Sequence, residues 1–407
     1  KTELSAALQS AASSQSHPSL VAGRAIPGAR PKVAFLFTGQ GAQHPGMGRS
    51  LYETQLVYRN AIDECSELLG DSVPGGLLAV LHAEKDDTRV NEPSVAQPAL
   101  FALEYALAKL WMSFGITPDA LCGHSLGEFV AATIAGILPL QDALLLVAER
   151  GRLSAEAANG GMMASVFSSA NTIASLIENT KSVEIAAYNG PKNHVLSGHS
   201  NELEPLLSRF TAMGIRAEPL RIAFAAHCAL VDPVLSRFRV AAEKVRFQNG
   251  TIPIVSNLTG QIADTADLAI PDHWVDHLRR PVRFADGIQS LCDLGITHFI
   301  EIGPHPVLSA MAAETVEKLD LTDKTVFLSS LRRDGEPGLE LATSLSRLYV
   351  DGLTIPPPCL SRGENNRRVS LPTYPFERTR HWHPSAPQAG TSNALQTDAF
   401  WKRLTTS

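Results

Sequence analysis

The chain has 407 residues, 44% of them hydrophobic and 19% charged, with a formal net charge of −6. That is enough apolar material for a large core and about two to three structural units. The negative charge runs against a nucleic-acid binder, which would carry a basic face, and no apolar run is long enough to cross a bilayer.

The chain starts at Lys1 without a methionine or a signal-type apolar stretch, and reads as a piece of a longer polypeptide. Residues 3–12 are predicted as a short helix, and 13–31, rich in Ser, Pro, Gly and Ala, as a linker. A buried strand follows at Val33 to Thr38 and runs into the glycine-rich loop Gly39-Gln40-Gly41-Ala42-Gln43. With no GxxxxGK[ST] and no GxGxxG, that loop is not a nucleotide cradle. Helical patterns cover about 48–70 and 97–114.

The stretch Pro118 to Cys122 reads as a strand and Glu128 to Gly136 as a helix, with Gly123-His124-Ser125-Leu126-Gly127 between them. A sharp strand-to-helix turn needs glycine on both sides and leaves the serine hydroxyl at a helix N-terminus, where backbone N–H groups can stabilise an oxyanion. The plainer alternative is a tight turn with a capping serine. A second helix runs from Leu138-Pro139-Leu140 to about Gly160 and carries Arg150 at the end of its apolar run.

The rhythm then changes. Strand Met162 to Phe167, helix Thr172 to Glu178, strands Val183 to Tyr188 and His194 to Ser197, helix Glu202 to Met213 and strand Ile215 to Ile222 give a βαββαβ order. That order predicts an inserted ferredoxin-like subdomain forming one wall of a cleft beside the serine. The core resumes with Ile252 to Asn257, a helix around Ala285 to Leu294 and the strand His298 to Ile302, and from about 355 the chain reads as an extended linker. The five cysteines, Cys65, Cys122, Cys228, Cys292 and Cys359, are scattered, with no CxxC pair; this suits a reducing, cytoplasmic setting and disfavours zinc or redox chemistry.

A serine needs a base to attack a carbonyl near neutral pH. Of thirteen histidines, His227 stands where the chain leaves the inserted subdomain for the core, although position alone leaves a structural role open. His124 adjoins the serine, so its ring points elsewhere, and His305 reads as part of a loop or cap. Asp142, Asp232, Asp264 and Asp286 are third-member candidates by chain position only, with Asp232 a helix cap. A backbone carbonyl orienting the histidine makes a Ser-His dyad the first choice. Arg150 either reaches a cleft to hold a carboxylate bidentately or lies exposed at a helix end.

Taken together, Phe-Thr-Gly-Gln-Gly-Ala-Gln (37–43), Gln-Pro-Ala-Leu-Phe (97–101), Gly-His-Ser-Leu-Gly-Glu (123–128), Arg150-Gly-Arg, Ala226-His227-Cys228 and Glu-Ile-Gly-Pro-His-Pro (301–306) resemble the acyltransferase domain of modular polyketide synthases. That family is related to malonyl-CoA:acyl-carrier-protein transacylase. The resemblance covers about 32–320, and Leu371 to Trp382 is similar to the linker that follows this domain.

The resemblance implies an α/β-hydrolase-like core at 32–160 and 223–320 with the ferredoxin-like subdomain at 161–222. An upstream linker occupies 1–31, and the C-terminal part of the core plus a linker occupy 321–407. It implies that Ser125 is acylated with His227 as base, that the N–H groups of Gln40 and Leu126 form the oxyanion hole, and that Arg150 holds the free carboxylate of an extender unit. Arg283 stands where the family supplies a carbonyl to the histidine. Phe224 and Ala226, in Phe-Ala-Ala-His, stand where the family selects the unit; the motif matches neither the malonyl nor the methylmalonyl pattern. Small Ala226 leaves room for an α-branch while Leu126 leans to malonyl.

The implied partners are an acyl-CoA, a carrier protein bearing phosphopantetheine and neighbouring domains such as a ketosynthase, with no metal or cofactor of the domain's own. A serine esterase or editing thioesterase is the alternative.

Overall fold

The computed structural model describes residues 2–13, 15–17, 19–23, 25, 30–84, 86–157, 160–220, 222 and 224–356. The strands are β1 (Val33–Phe37), β2 (Ala120–Gly123), β3 (Gly161–Val166), β4 (Glu184–Gly190), β5 (Asn193–His199), β6 (Ala217–Pro219), β7 (Ile254–Val255), β8 (His298–Ile302) and β9 (Val326–Ser329). They form two sheets. One is parallel throughout, in the order β7-β2-β1-β8-β9, and the other is antiparallel, in the order β4-β5-β3-β6.

Residues of β1, β2 and β8 are buried without alternation. That is the pattern of parallel strands covered on both faces. The Leu126–Ile134 helix packs on β1 and β2 and the Pro93–Ser113 helix, buried along nearly its whole length, on β8. Within the parallel sheet Phe37 pairs with Gly123, so β1 and β2 end level and their following loops emerge side by side. Both loops leave the carboxyl ends of the strands beside the reversal of strand order, where open α/β sheets place their ligands. The antiparallel sheet carries the Ala170–Ile177 and Ser200–Ala212 helices, giving the βαββαβ order read from the sequence.

The structure corrects several local readings. The helix expected over 48–70 is two, Arg49–Thr54 and Leu56–Leu69, because Gln55 between them is extended (φ −117°, ψ 106°). The helix expected from 97 begins at Pro93, where a missing N–H costs nothing, and carries Pro98 inside it. The strand expected over 215–222 shortens to β6, an edge strand ending at Pro219, which has no N–H for a ladder. Asp232 does not cap its helix: it is the first helical residue and pairs with Arg279 at 2.6 Å. The linker expected from about 355 lies outside the described residues beyond 356. Among the described residues no helix is long and apolar enough to cross a membrane.

Candidate active site

The turn after β2 is built by sterics. A Cβ at Gly123 would run into the backbone of Gly127 and Glu128, and one at Gly127 would run into the Phe37 carbonyl at the end of β1. Ser125 between them sits at φ 51°, ψ −110°, where an L-residue is strained, and the Leu126–Ile134 helix starts immediately after it. Such strain survives only where the surroundings over-determine it. Here the Ser125 N–H donates to Asn257 Oδ1 at 2.7 Å, while Asn257 Nδ2 donates to the Gly123 carbonyl at 2.7 Å. Asn257 is itself held by its N–H on Glu128 Oε2 at 2.7 Å.

Glu128 is fully buried, and burial alone would raise its pKa. His277 and His273 outweigh that and hold it down at about 2, with His273 Nε2 2.8 Å away. The carboxylate therefore stays ionised under the turn. Because Gly127 packs on the β1 loop, Gly127→Ala is expected to lower the free energy of unfolding by about 3 kcal/mol or more, the overpacking cost for a site with backbone on the far side. A denaturant midpoint equal to wild type would show that the loop moves aside.

Ser125 Oγ lies 2.8 Å from His227 Nε2. The other ring nitrogen, Nδ1, is 2.8 Å from the Arg280 carbonyl. A carbonyl can only accept, so Nδ1 carries the hydrogen and Nε2 offers its lone pair to the serine hydroxyl, the tautomer a general base needs. His227 is buried, at φ 56°, and burial followed by the nearby His277, Arg150 and His124 pushes its pKa well below the ordinary imidazole value.

The carbonyl belongs to Arg280 and not to Arg283. Arg283 instead donates its N–H to the Asn257 carbonyl at 2.9 Å and pairs its side chain with Asp286 at 2.7 Å. None of the four aspartates considered as a third member reaches the ring. Asp142 pairs with Arg246, Asp232 with Arg279 and Asp286 with Arg283, and Asp264 caps a short helix.

Arg150 is not an exposed helix-end charge: it is 2% exposed. Its Nη1 donates to Gln97 Oε1 at 2.7 Å and its Nη2 to Ser125 Oγ at 3.0 Å, while its buried Nε has no partner. Burial lowers its pKa to about 10, so it remains charged near neutral pH. Among the described residues no carboxylate pairs with it. Gln97, whose Nε2 also reaches Gln40 Oε1 at 3.2 Å, links the cation to the β1 loop.

A cleft of about 400 Å³ lies over Ser125, lined by Gln40, Arg150, His227, Phe224 and Ala226 and walled on one side by Ala186, Ala187 and Asn189 of β4. Leu126 places its side chain in the main core, leaving only its backbone at the turn. Sequence reasoning assigned no role to Asn257, Glu128, Gln97 or Asn189. Only Gln97 and Glu128 fell within motifs that could have drawn attention to them.

The chain that builds this site resembles known proteins along most of its length. Residues 34–354 match the model of the acyl transferase domain family, and the chain belongs to that family. Its solved relatives include the acyltransferase domain from the second module of the salinomycin polyketide synthase, 38% identical with a TM-score of 0.82, covering 91% of this chain and 85% of that one. MCAT from Streptococcus pneumoniae is 30% identical with a TM-score of 0.68, covering 78% of this chain and all of that one.

Among longer proteins it is similar to the spectinabilin polyketide synthase system protein NorB of Streptomyces orinoci, 37% identical over 381 residues. A second is the PKS-NRPS hybrid synthetase ATPKS of Aspergillus niger, 36% identical over 368 residues. These matches cover 92% and 86% of the chain but only 17% and 20% of the two relatives.

Proposed function

We propose that this domain loads a malonyl-type extender unit from coenzyme A onto the phosphopantetheine thiol of an acyl carrier protein, by way of an ester on Ser125. The observation that carries this reading is Arg150: a buried, charged guanidinium whose Nη2 lies 3.0 Å from the serine oxygen, whose Nε is unpartnered, and which pairs with no carboxylate among the described residues. A substrate carboxylate satisfies it bidentately. A plain esterase has no use for such a cation.

In this mechanism His227 Nε2 takes the Ser125 proton as Oγ attacks the thioester carbonyl. The tetrahedral oxyanion is met by the N–H groups of Gln40 and Leu126. Collapse expels coenzyme A as its thiol, with the proton returned from His227. The carrier thiol then attacks the seryl ester, His227 again accepting the proton, and Ser125 is released. The carboxylate held on Arg150 orients the ester toward the incoming thiol and away from water.

Phe224 and Ala226 face the α-carbon from the wall next to His227. With Leu126 turned into the core, they are the side chains that grade malonyl against a unit with a small α-substituent, a choice worth only about 1–3 kcal/mol per methylene. The domain works as one station of a longer synthase beside a ketosynthase and needs no cofactor of its own.

Mixing the protein with malonyl-, methylmalonyl- and acetyl-CoA and reading Ser125 by mass spectrometry tests the assignment. A carboxyacyl adduct that moves to a carrier thiol is expected. Release of free acid without an adduct or transfer would instead favour a hydrolase.

A further inference from the structure

The edge of the antiparallel sheet reaches the chain neighbours of both Ser125 and His227. β4 is an edge strand of that sheet, irregular against β5 at two places, between Ile185 and Ala187 and between Tyr188 and Gly190. Bulges of this kind re-aim side chains and bend an edge. Its outer edge is capped by the segment that serves His227: Val282 N–H donates to the Ala186 carbonyl at 2.9 Å and Tyr188 N–H to the Val282 carbonyl at 2.8 Å. Arg280, two residues earlier, supplies the carbonyl to His227 Nδ1.

At one end of β4, Glu184 accepts the N–H of Ala229, two residues past His227, at 2.8 Å. It also grips both Nη atoms of Arg279, at 2.9 and 3.0 Å. At the other end, buried Asn189 meets His124 Nε2 at 2.7 Å, next to Ser125.

We propose that Glu184 is a positioning residue for His227, clamping the loop after the histidine to the segment that holds its Nδ1, and that β4 thereby sets the Ser125-His227 distance. His227 needs such a clamp because its φ of 56° is a conformation that a free loop would leave. Glu184 touches no reacting atom. With its side chain 37% exposed, it is not a core group whose removal empties a cavity.

The proposal rests on the acyl-transfer reading, and the experiment separates the two. Pre-steady-state acylation by malonyl-CoA and reaction with a fluorophosphonate, which needs Ser125 and His227 but neither coenzyme A nor a carboxylate, are measured on the full chain as wild type, Glu184→Ala and Glu184→Gln. In Glu184→Ala both rate constants are expected to fall about 10–100-fold, the cost of a small misplacement of a base. Burst amplitude and KM should stay within twofold of wild type. Glu184→Gln, which keeps an acceptor for the Ala229 N–H, is expected to recover most of the rate.

Loss of burst amplitude at an unchanged rate constant would mean that Glu184 serves folding alone and would overturn the proposal. So would wild-type rates in Glu184→Ala, or a Glu184→Gln no faster than the alanine variant. If wild type reacts with the fluorophosphonate but not with malonyl-CoA, the acyl-transfer reading fails while the clamp is still judged on the fluorophosphonate rates.

Discussion

His227→Ala is expected to slow the formation of the Ser125 ester by about 10²–10⁴-fold, the usual contribution of a positioned general base. The serine hydroxyl would keep its hydrogen bond from Arg150 but lose the acceptor at Nε2, 2.8 Å away. The same residue sets the pH response. Burial first, then His277, Arg150 and His124, hold the His227 pKa well below the imidazole value of 6.5. The neutral, basic form thus persists into mild acid, and the acid limb of the acylation rate falls below the usual histidine range.

Stability moves the opposite way. Burial also shifts His124 and His277 below the ordinary imidazole value, in His277 against the opposing pull of Glu128. The unfolded chain, with ordinary imidazoles, takes up protons first, so the free energy of unfolding drops as pH falls below about 6.5. Stopped-flow release of coenzyme A across pH checks the rate, and a chemical-denaturation series over the same range checks stability. An acylation limb centred at or above 6.5 in wild type, or an unimpaired His227→Ala, would remove His227 from the proposed role.

Arg150→Ala is expected to cut loading of malonyl by roughly 10²-fold to a few thousand-fold while leaving acetyl loading far less affected. A buried charge-assisted pair lost at one end costs about 3–5 kcal/mol, and each 1.4 kcal/mol is tenfold. Removing Arg150 also frees Gln97 Oε1, so part of any general decline comes from that orphaned acceptor. The acetyl control measures that part. Arg150→Lys keeps a cation without the planar fork and should fall between the two. A malonyl-to-acetyl ratio unchanged in Arg150→Ala would show that the carboxylate sits elsewhere.

Much of the site was legible because its parts are local in the chain. Ser125 is announced by the glycines on both sides, whose missing Cβ atoms the turn requires, and the inserted sheet by its alternating strands and helices. What escaped is carried by groups with no local signature. Asn257 holds the turn from more than a hundred residues away, and its pattern in the sequence is that of any asparagine after a strand. The carbonyl on His227 is a backbone group, so no residue type marks it, and the resemblance placed it three residues late, at Arg283 instead of Arg280. Asn189 and Glu184 act through a strand edge, which becomes visible only once the register of β4 against the 280–283 segment is known.

The parallel sheet also has a temporal meaning. β1 finds one neighbour in β2 and the other in β8, where Val33 is registered with His298. Pairings that span so much chain close slowly and late. The loop bearing Gln40 is therefore made early in synthesis but is seated on both sides only after β8 has emerged, by which time His227 and its supporting segment are also present. The groups that meet around Ser125 come together as the domain completes itself, and a half-made chain holds the serine turn without the histidine beside it.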